Sequence, residues 1–131
     1  MIGQRKGKLY PNVKETLIGL QKQGHTLIFL SNCKKDYMEA QKKAFNLADY
    51  FVDFYCSEDF NFIPKHQIFD HIKDHYSGRF IVIGDRAQDI EIATTHNLIS
   101  IGCSYGYGSE AELQNATHII SKPEELMSIL L

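Results

Sequence analysis

The chain has 131 residues, a length that suits one compact domain, so residues 1–131 are expected to share a single core. Hydrophobic residues make up 44% and charged residues 23%, an ordinary globular balance that excludes disordered, collagen-like and coiled-coil classes. A net charge of -2 leaves no basic surplus for nucleic acid, and the longest apolar runs, Leu27 to Leu30 and Ile129 to Leu131, fall far short of the roughly 20 residues a membrane span needs.

In chain order, residues 1–11 read as an irregular lead-in whose basic residues Arg5, Lys6 and Lys8 suit a solvated tail. Its polar start lacks the apolar region of a signal peptide, so a cytoplasmic location is expected, with no nucleic-acid and no membrane partner. Asn12-Val13-Lys14-Glu15 has the form of a capping box, opening a helix with Val13, Leu17 and Leu20 on one face and Gly24 as its stop. Thr26 to Leu30 is a continuous apolar run, the mark of a strand buried on both faces, and Ser31-Asn32 turns it into a helix over about Lys35 to Phe45. Strands follow near Phe51 to Cys56, Arg79 to Ile83 and Leu98 to Gly102, with helices over Lys65 to Tyr76 and Gln88 to Thr95 between them. Ser109-x-x-Glu112 is a second capping box, His118-Ile119-Ile120 suits a short edge strand, and Glu124 to Leu130 makes a closing helix behind Pro123. Strands alternating with helices predict an α/β fold, a doubly wound parallel sheet with right-handed crossovers. Cys33, Cys56 and Cys103, odd in number and far apart, fit reduced, mostly buried thiols better than a disulfide frame or a zinc site.

In such sheets ligands bind where strand C-termini meet helix N-termini. Three of those ends carry polar groups. Ser31 and Asn32 place a hydroxyl and an amide before free helix N–H groups, a setting suited to phosphate oxygens, although both residues also serve as plain turn residues. Lys65, behind Pro64 at a helix start, can neutralise an anion. Gly84-Asp85-Arg86-Ala87-Gln88-Asp89 follows a buried strand, and its two hard carboxylates four positions apart suit Mg²⁺, which takes one or two carboxylates together with water and substrate phosphate. Other groups carry less. His71 and His75 are spaced i, i+4 on a charged, solvated face; Cys33 has no histidine tied to it by any motif; Tyr105 and Tyr107 flank glycines in a loop.

The order of these ends, an apolar strand then Ser31-Asn32, a lysine at a helix start, and an apolar strand then Gly-Asp-x-x-x-Asp, resembles the haloacid dehalogenase-like hydrolase superfamily over nearly the whole chain. Ile99-Ser100-Ile101-Gly102 followed by Tyr105 to Leu113 resembles its phosphoglycolate phosphatase-like branch, and Leu9-Tyr10-Pro11-Asn12-Val13 resembles the return from cap to core in those enzymes. The resemblance implies a Rossmann-like core and Mg²⁺-dependent hydrolysis of a small phosphorylated metabolite through an aspartyl-phosphate. It assigns phosphate binding to Ser31, Asn32 and Lys65, charge stabilisation in catalysis to Lys65, and the metal site to Asp85 and Asp89. Pro64-Lys65 reverses the Lys-Pro order frequent in the family.

One family motif is missing. The superfamily keeps an Asp-x-Asp pair at the tip of its first strand, the first aspartate attacking phosphorus and the second acting as general acid and base. This chain has no aspartate before Asp36 and no Asp-x-Asp anywhere. Losing a nucleophile removes the covalent step, and comparable deletions cost on the order of 10⁴ to 10⁶ in rate. The expectation is therefore a core missing its first strand and its cap, inactive alone, with a non-catalytic phosphate- and Mg²⁺-binding or interaction protein as the alternative. In the family that strand lies between the strand ending at Asp85 and the one ending at Ser31. Its loss predicts two apolar strands that close up to the usual ~4.8 Å spacing, form a homodimer, or accept a strand from a donating partner.

Overall fold

The computed structural model describes residues 4–5, 8–9, 12–105 and 109–130, and it converts the apolar runs into strands and the amphipathic stretches into helices close to the expected bounds. The architecture is α/β with parallel strands. Among the described residues no helix is long and apolar enough to cross a membrane. The chain divides into two compact units, one containing Gln4–Phe62 and Pro123–Leu131, the other Ile63–Lys122.

In the first unit the lead-in is not wholly irregular. Strands β1 (Gln4–Arg5) and β2 (Lys8–Leu9) pair antiparallel, Gln4 opposite Leu9 and Arg5 opposite Lys8. Helix α1 (Val13–Lys22) buries Val13, Thr16, Leu17 and Leu20, the i, i+3, i+4, i+7 stripe that the sequence shows. The expected Asn12–Glu15 capping box does not form. An N-cap side chain reaches the N3 amide only from extended backbone, and Asn12 is left-handed at φ 68°. Its carbonyl accepts from Thr16 Oγ1 at 2.7 Å, and its amide donates to Glu124 Oε2 at 3.3 Å instead. Gly24, at φ 92°, ends the helix as expected, and the His25 N–H then closes back onto the Leu20 carbonyl at 3.1 Å.

Strand β3 (Ile28–Ser31) runs parallel to β4 (Asp53–Cys56), with Ile28 opposite Asp53 and Ser31 opposite Cys56. Helix α2 (Lys35–Ala44) connects them and buries Met38 and Gln41. Phe29, Phe51 and Phe54 form an aromatic cluster with ring centroids 5.4 to 5.8 Å apart. The expectation that β3 is buried on both faces is corrected: Phe29 is buried, but Ile28, Leu30 and Ser31 are only half-buried. The reason is topological, since among the described residues β3 is paired on one side alone.

The second unit begins with helix α3 (Lys65–Ile72), which buries Lys65, Ile68, Phe69 and Ile72 and runs on into a 3₁₀ turn over Lys73–His75. Strand β5 (Ile81–Gly84) leads through helix α4 (Ala87–His96) to β6 (Ile99–Cys103), and helix α5 (Glu110–Leu113) leads to β7 (His118–Ile120). All three strands are parallel in the order β5-β6-β7, so β7 is the expected edge strand. Central β6 is buried from Ser100 to Cys103, whereas Ile81, Val82 and Ile83 of β5 are half-buried, again with one ladder among the described residues. Helix α6 (Glu125–Ile129), back in the first unit, packs on α1: a methyl on Gly19 would meet Met127 Cε at 2.8 Å.

Candidate functional site

In the unit Ile63–Lys122, β5 ends at Gly84 and delivers Asp85, buried to 8% exposure, one residue past the strand. Arg86 is extended and forms the N-cap of α4, which puts Asp89 at its third position. From there Asp89 Oδ2 accepts the Arg86 N–H at 3.3 Å, as an acid in the first turn of a helix should. Helix α3 lies against α4, and its first residue, Lys65, donates from Nζ to Asp89 Oδ1 at 2.5 Å. The two side chains are 7% and 5% exposed, so the contact is a buried ion pair. Burial alone would raise the Asp89 pKa. The positive charge around it, Lys65 included, and the Arg86 N–H outweigh that and hold it below the ordinary carboxylate range, so Asp89 stays ionised.

The turn between β5 and α4 is braced from α5. Arg86 Nε donates to Glu112 Oε1 at 3.2 Å, and the expected Ser109–Glu112 capping box is formed by both its bonds, Ser109 N–H to Glu112 Oε2 at 3.1 Å and Glu112 N–H to Ser109 Oγ at 3.4 Å. The Ser109 amide, followed by Arg86, holds the Glu112 carboxyl below its usual range. Cys103 closes β6, and burial pushes its thiol up to about 11, which leaves it protonated and inert. Tyr107 lies outside the described residues.

The other expected phosphate-binding residues belong to the first unit. Ser31 is the half-buried last residue of β3, and Asn32 is exposed in the turn that follows. Sequence reasoning missed the acids at the start of α2: the Lys35 N–H, first in α2, donates to Glu58 Oε1 at 2.7 Å, and Lys35 Nζ stands 3.8 Å from Asp59 Oδ2. A signal was available, because Ser57-Glu58-Asp59 follows the apolar run of β4 just as Ser31-Asn32 follows β3. The N-terminus of α2 therefore already holds a carboxylate where an anion was expected. Cys33 is half-buried and Cys56 and Cys103 are buried. Burial raises the Cys56 thiol, which lies 3.5 Å from Asp59 Oδ2. His71 and His75 are both exposed, as their charged neighbours implied.

The structure thus brings Lys65 and Asp89 into contact with Asp85 on the same turn. The donor chemistry of that turn suits Mg²⁺: hard carboxylate oxygens, one or two in number, with the remaining positions left to water and phosphate. Asp89 Oδ1 and Oδ2 accept from Lys65 Nζ and the Arg86 N–H, and Asp85 on the same turn is a second buried carboxylate. Among the described residues no cluster of three or more His, Cys, Asp or Glu forms a closed metal cage.

A family profile described as haloacid dehalogenase-like hydrolase matches residues 2–103. The chain is 30% identical over 116 residues to a phosphoglycolate phosphatase of Vibrio vulnificus, covering 80% of this chain and 48% of that protein. It is 27% identical over 134 residues to a 5'-nucleotidase of Pseudomonas aeruginosa, covering 98% and 61%. Among solved structures, a candidate phosphatase from Clostridium difficile superimposes with a TM-score of 0.83 at 30% identity, over 95% of this chain and 61% of that one. A haloacid dehalogenase-like family protein from Streptococcus pneumoniae gives 0.78 at 21% identity, over 94% and 60%, a likeness of fold. The chain spans about half the length of the phosphoglycolate phosphatases it matches.

Proposed function

The chain belongs to the haloacid dehalogenase-like hydrolase family, and from that premise we propose that it is the core of a phosphomonoester hydrolase whose attacking carboxylate comes from outside these 131 residues. The substrate is a small phosphorylated metabolite of the phosphoglycolate class, and the cofactor is Mg²⁺. The observation that carries this reading is the pairing of buried, ionised Asp89 with Lys65 beside Asp85, in a chain that has no Asp-x-Asp.

In this reading Lys65, its ammonium fixed by Asp89, offsets the charge of the phosphoryl group. Asp85 would hold Mg²⁺, with Asp89 as the second acid of that site; when bound, the ion supplies positive charge to the phosphoryl oxygens. The apolar edge of β5, half-buried and paired only with β6 among the described residues, suits an added strand. A strand bearing Asp-x-Asp, from a donating partner or from further chain, would cover that edge and bring the nucleophile. Self-pairing of such edges is the route to a homodimer.

The test joins turnover with binding. The 131-residue chain is expected to hydrolyse p-nitrophenyl phosphate no faster than buffer with Mg²⁺, while calorimetry detects Mg²⁺-dependent binding of inorganic phosphate that Lys65→Ala abolishes. Turnover that disappears in Asp85→Ala would place the nucleophile inside the chain and refute the reading. Absence of phosphate binding would remove the anion site on which it depends.

A further inference from the structure

Among the described glycines of the unit Ile63–Lys122, Gly84 has the least room for a side chain. A methyl carbon added to Gly84 would lie 2.2 Å from Asp89 Cβ and 2.4 Å from both its Cγ and Oδ2. Carbon atoms rest about 3.5 to 4.0 Å apart, so clearing that methyl moves Asp89 by more than about 1 Å. Backbone freedom does not explain the glycine, since Gly84 is not among the positive-φ residues. The other close-packed glycines behave differently. A methyl on Gly102 would meet apolar Leu113 and Ala116 at 3.2 to 3.3 Å, and one on Gly19 would meet the flexible end of Met127. At Gly84 the obstacle is the root of a side chain on the first turn of α4. That turn is fixed by Asp89 N–H and Ile90 N–H donating to the Arg86 carbonyl at 3.0 and 3.3 Å.

The displaced group is the carboxylate that holds Lys65. A shift of about 1 Å stretches the 2.5 Å contact to about 3.5 Å, beyond a useful hydrogen bond. We propose that Gly84 is a positioning residue for Lys65: its missing Cβ is the space in which Asp89 sits over the end of β5, and only from that seat does Asp89 hold the buried ammonium. That Lys65 faces a phosphoryl group rests on the function proposed above; that Gly84 seats the ion pair does not.

The experiment compares Gly84→Ala, Asp89→Gly and the double variant with the native chain. Thermal unfolding reports the fold, and acetylation of Lys65 by acetic anhydride, read by peptide mass spectrometry against exposed Lys43, reports the ammonium. Gly84→Ala is expected to lower the unfolding midpoint and to speed Lys65 acetylation at least tenfold. Asp89→Gly removes the clashing Cβ, so adding Gly84→Ala to it is expected to change the midpoint no further, while Lys65 stays fast in both. A rescued fold with an unrescued lysine separates positioning from packing. An equal loss of midpoint in both backgrounds, or a folded Gly84→Ala with native Lys65 reactivity, would overturn the proposal. If Gly84→Ala alone does not fold, a folded double variant supports the proposal and an unfolded one refutes it. Phosphate and turnover do not enter, so failure here is distinct from failure of the hydrolase reading.

Discussion

Asp89→Asn isolates the energetics of the buried pair, because it keeps the shape of the side chain and removes its charge. At 2.5 Å, with an effective dielectric of about 20, the gross attraction to Lys65 is about 7 kcal/mol. Desolvating each ion costs several kcal/mol, so the pair itself is close to neutral against an apolar replacement, but removing one partner strands a buried charge at a cost of about 3 to 5 kcal/mol. For a chain of this size that corresponds to a fall of roughly 10 to 20 °C in the unfolding midpoint at pH 7. The effect carries a pH signature. The folded Asp89 pKa is depressed below its unfolded value of about 3.9, so its stabilisation is fully present above that value and is lost as pH falls through the folded one. The gap between native and Asp89→Asn proteins, followed by circular dichroism during urea unfolding, should be widest near neutrality and close progressively below about pH 4. Lys65→Met combined with Asp89→Leu should recover most of the loss. A single Asp89→Asn variant within about 1 kcal/mol of native at pH 7, or a gap independent of pH, would refute the reasoning.

Glu58→Gln removes the carboxylate held at the first amide of α2 and is expected to raise the affinity for inorganic phosphate about fivefold in calorimetry; an unchanged affinity would separate that helix end from the anion site. In the native chain a disulfide reagent should label half-buried Cys33 first, with Cys56 and Cys103 reacting only on unfolding, as their raised thiol pKa values and burial require. Glu112→Ala breaks the α5 capping box and releases Arg86, which should lower stability by about 1 kcal/mol in urea denaturation and leave the Lys65–Asp89 pair intact.

What the sequence made legible was periodicity. The apolar stripe of α1 and the continuous run that becomes β3 announce their elements, since apolar spacing follows the period of the element. Capping was legible only in part, since two Ser/Asn-x-x-Glu patterns have different outcomes. Ser109 is extended, so its hydroxyl and the Glu112 carboxylate bond reciprocally; Asn12 is left-handed, and its amide turns to Glu124, distant in sequence. Backbone conformation at the N-cap depends on where the chain arrives from, which a four-residue pattern does not contain. Glu58 and Gly84 were missed for a related reason. Glu58 meets α2 across a gap of 23 residues, and the meaning of Gly84 lies in the position of Asp89, five residues on and one helical turn into α4.

The half-burial of β3 and β5 connects these local facts to function. A run such as Ile81-Val82-Ile83 is written for a strand covered on both sides, as β6 is between β5 and β7, yet in each unit the corresponding strand has one ladder among the described residues. Side-chain chemistry alone does not require so apolar an edge, and an open one is a hazard for aggregation. Lys65 and Asp89 are likewise more elaborate than stability demands, because a buried ion pair is on balance worth little against well-packed apolar residues. In the proposed reading, the edge of β5 and the fixed ammonium of Lys65 share one explanation, an added strand that carries a carboxylate to the tip of β5. Supplying that strand in trans should therefore do two things together: raise the unfolding midpoint and restore phosphomonoester turnover. A strand that stabilised the chain without turnover would show that the edge and the charged site serve separate ends.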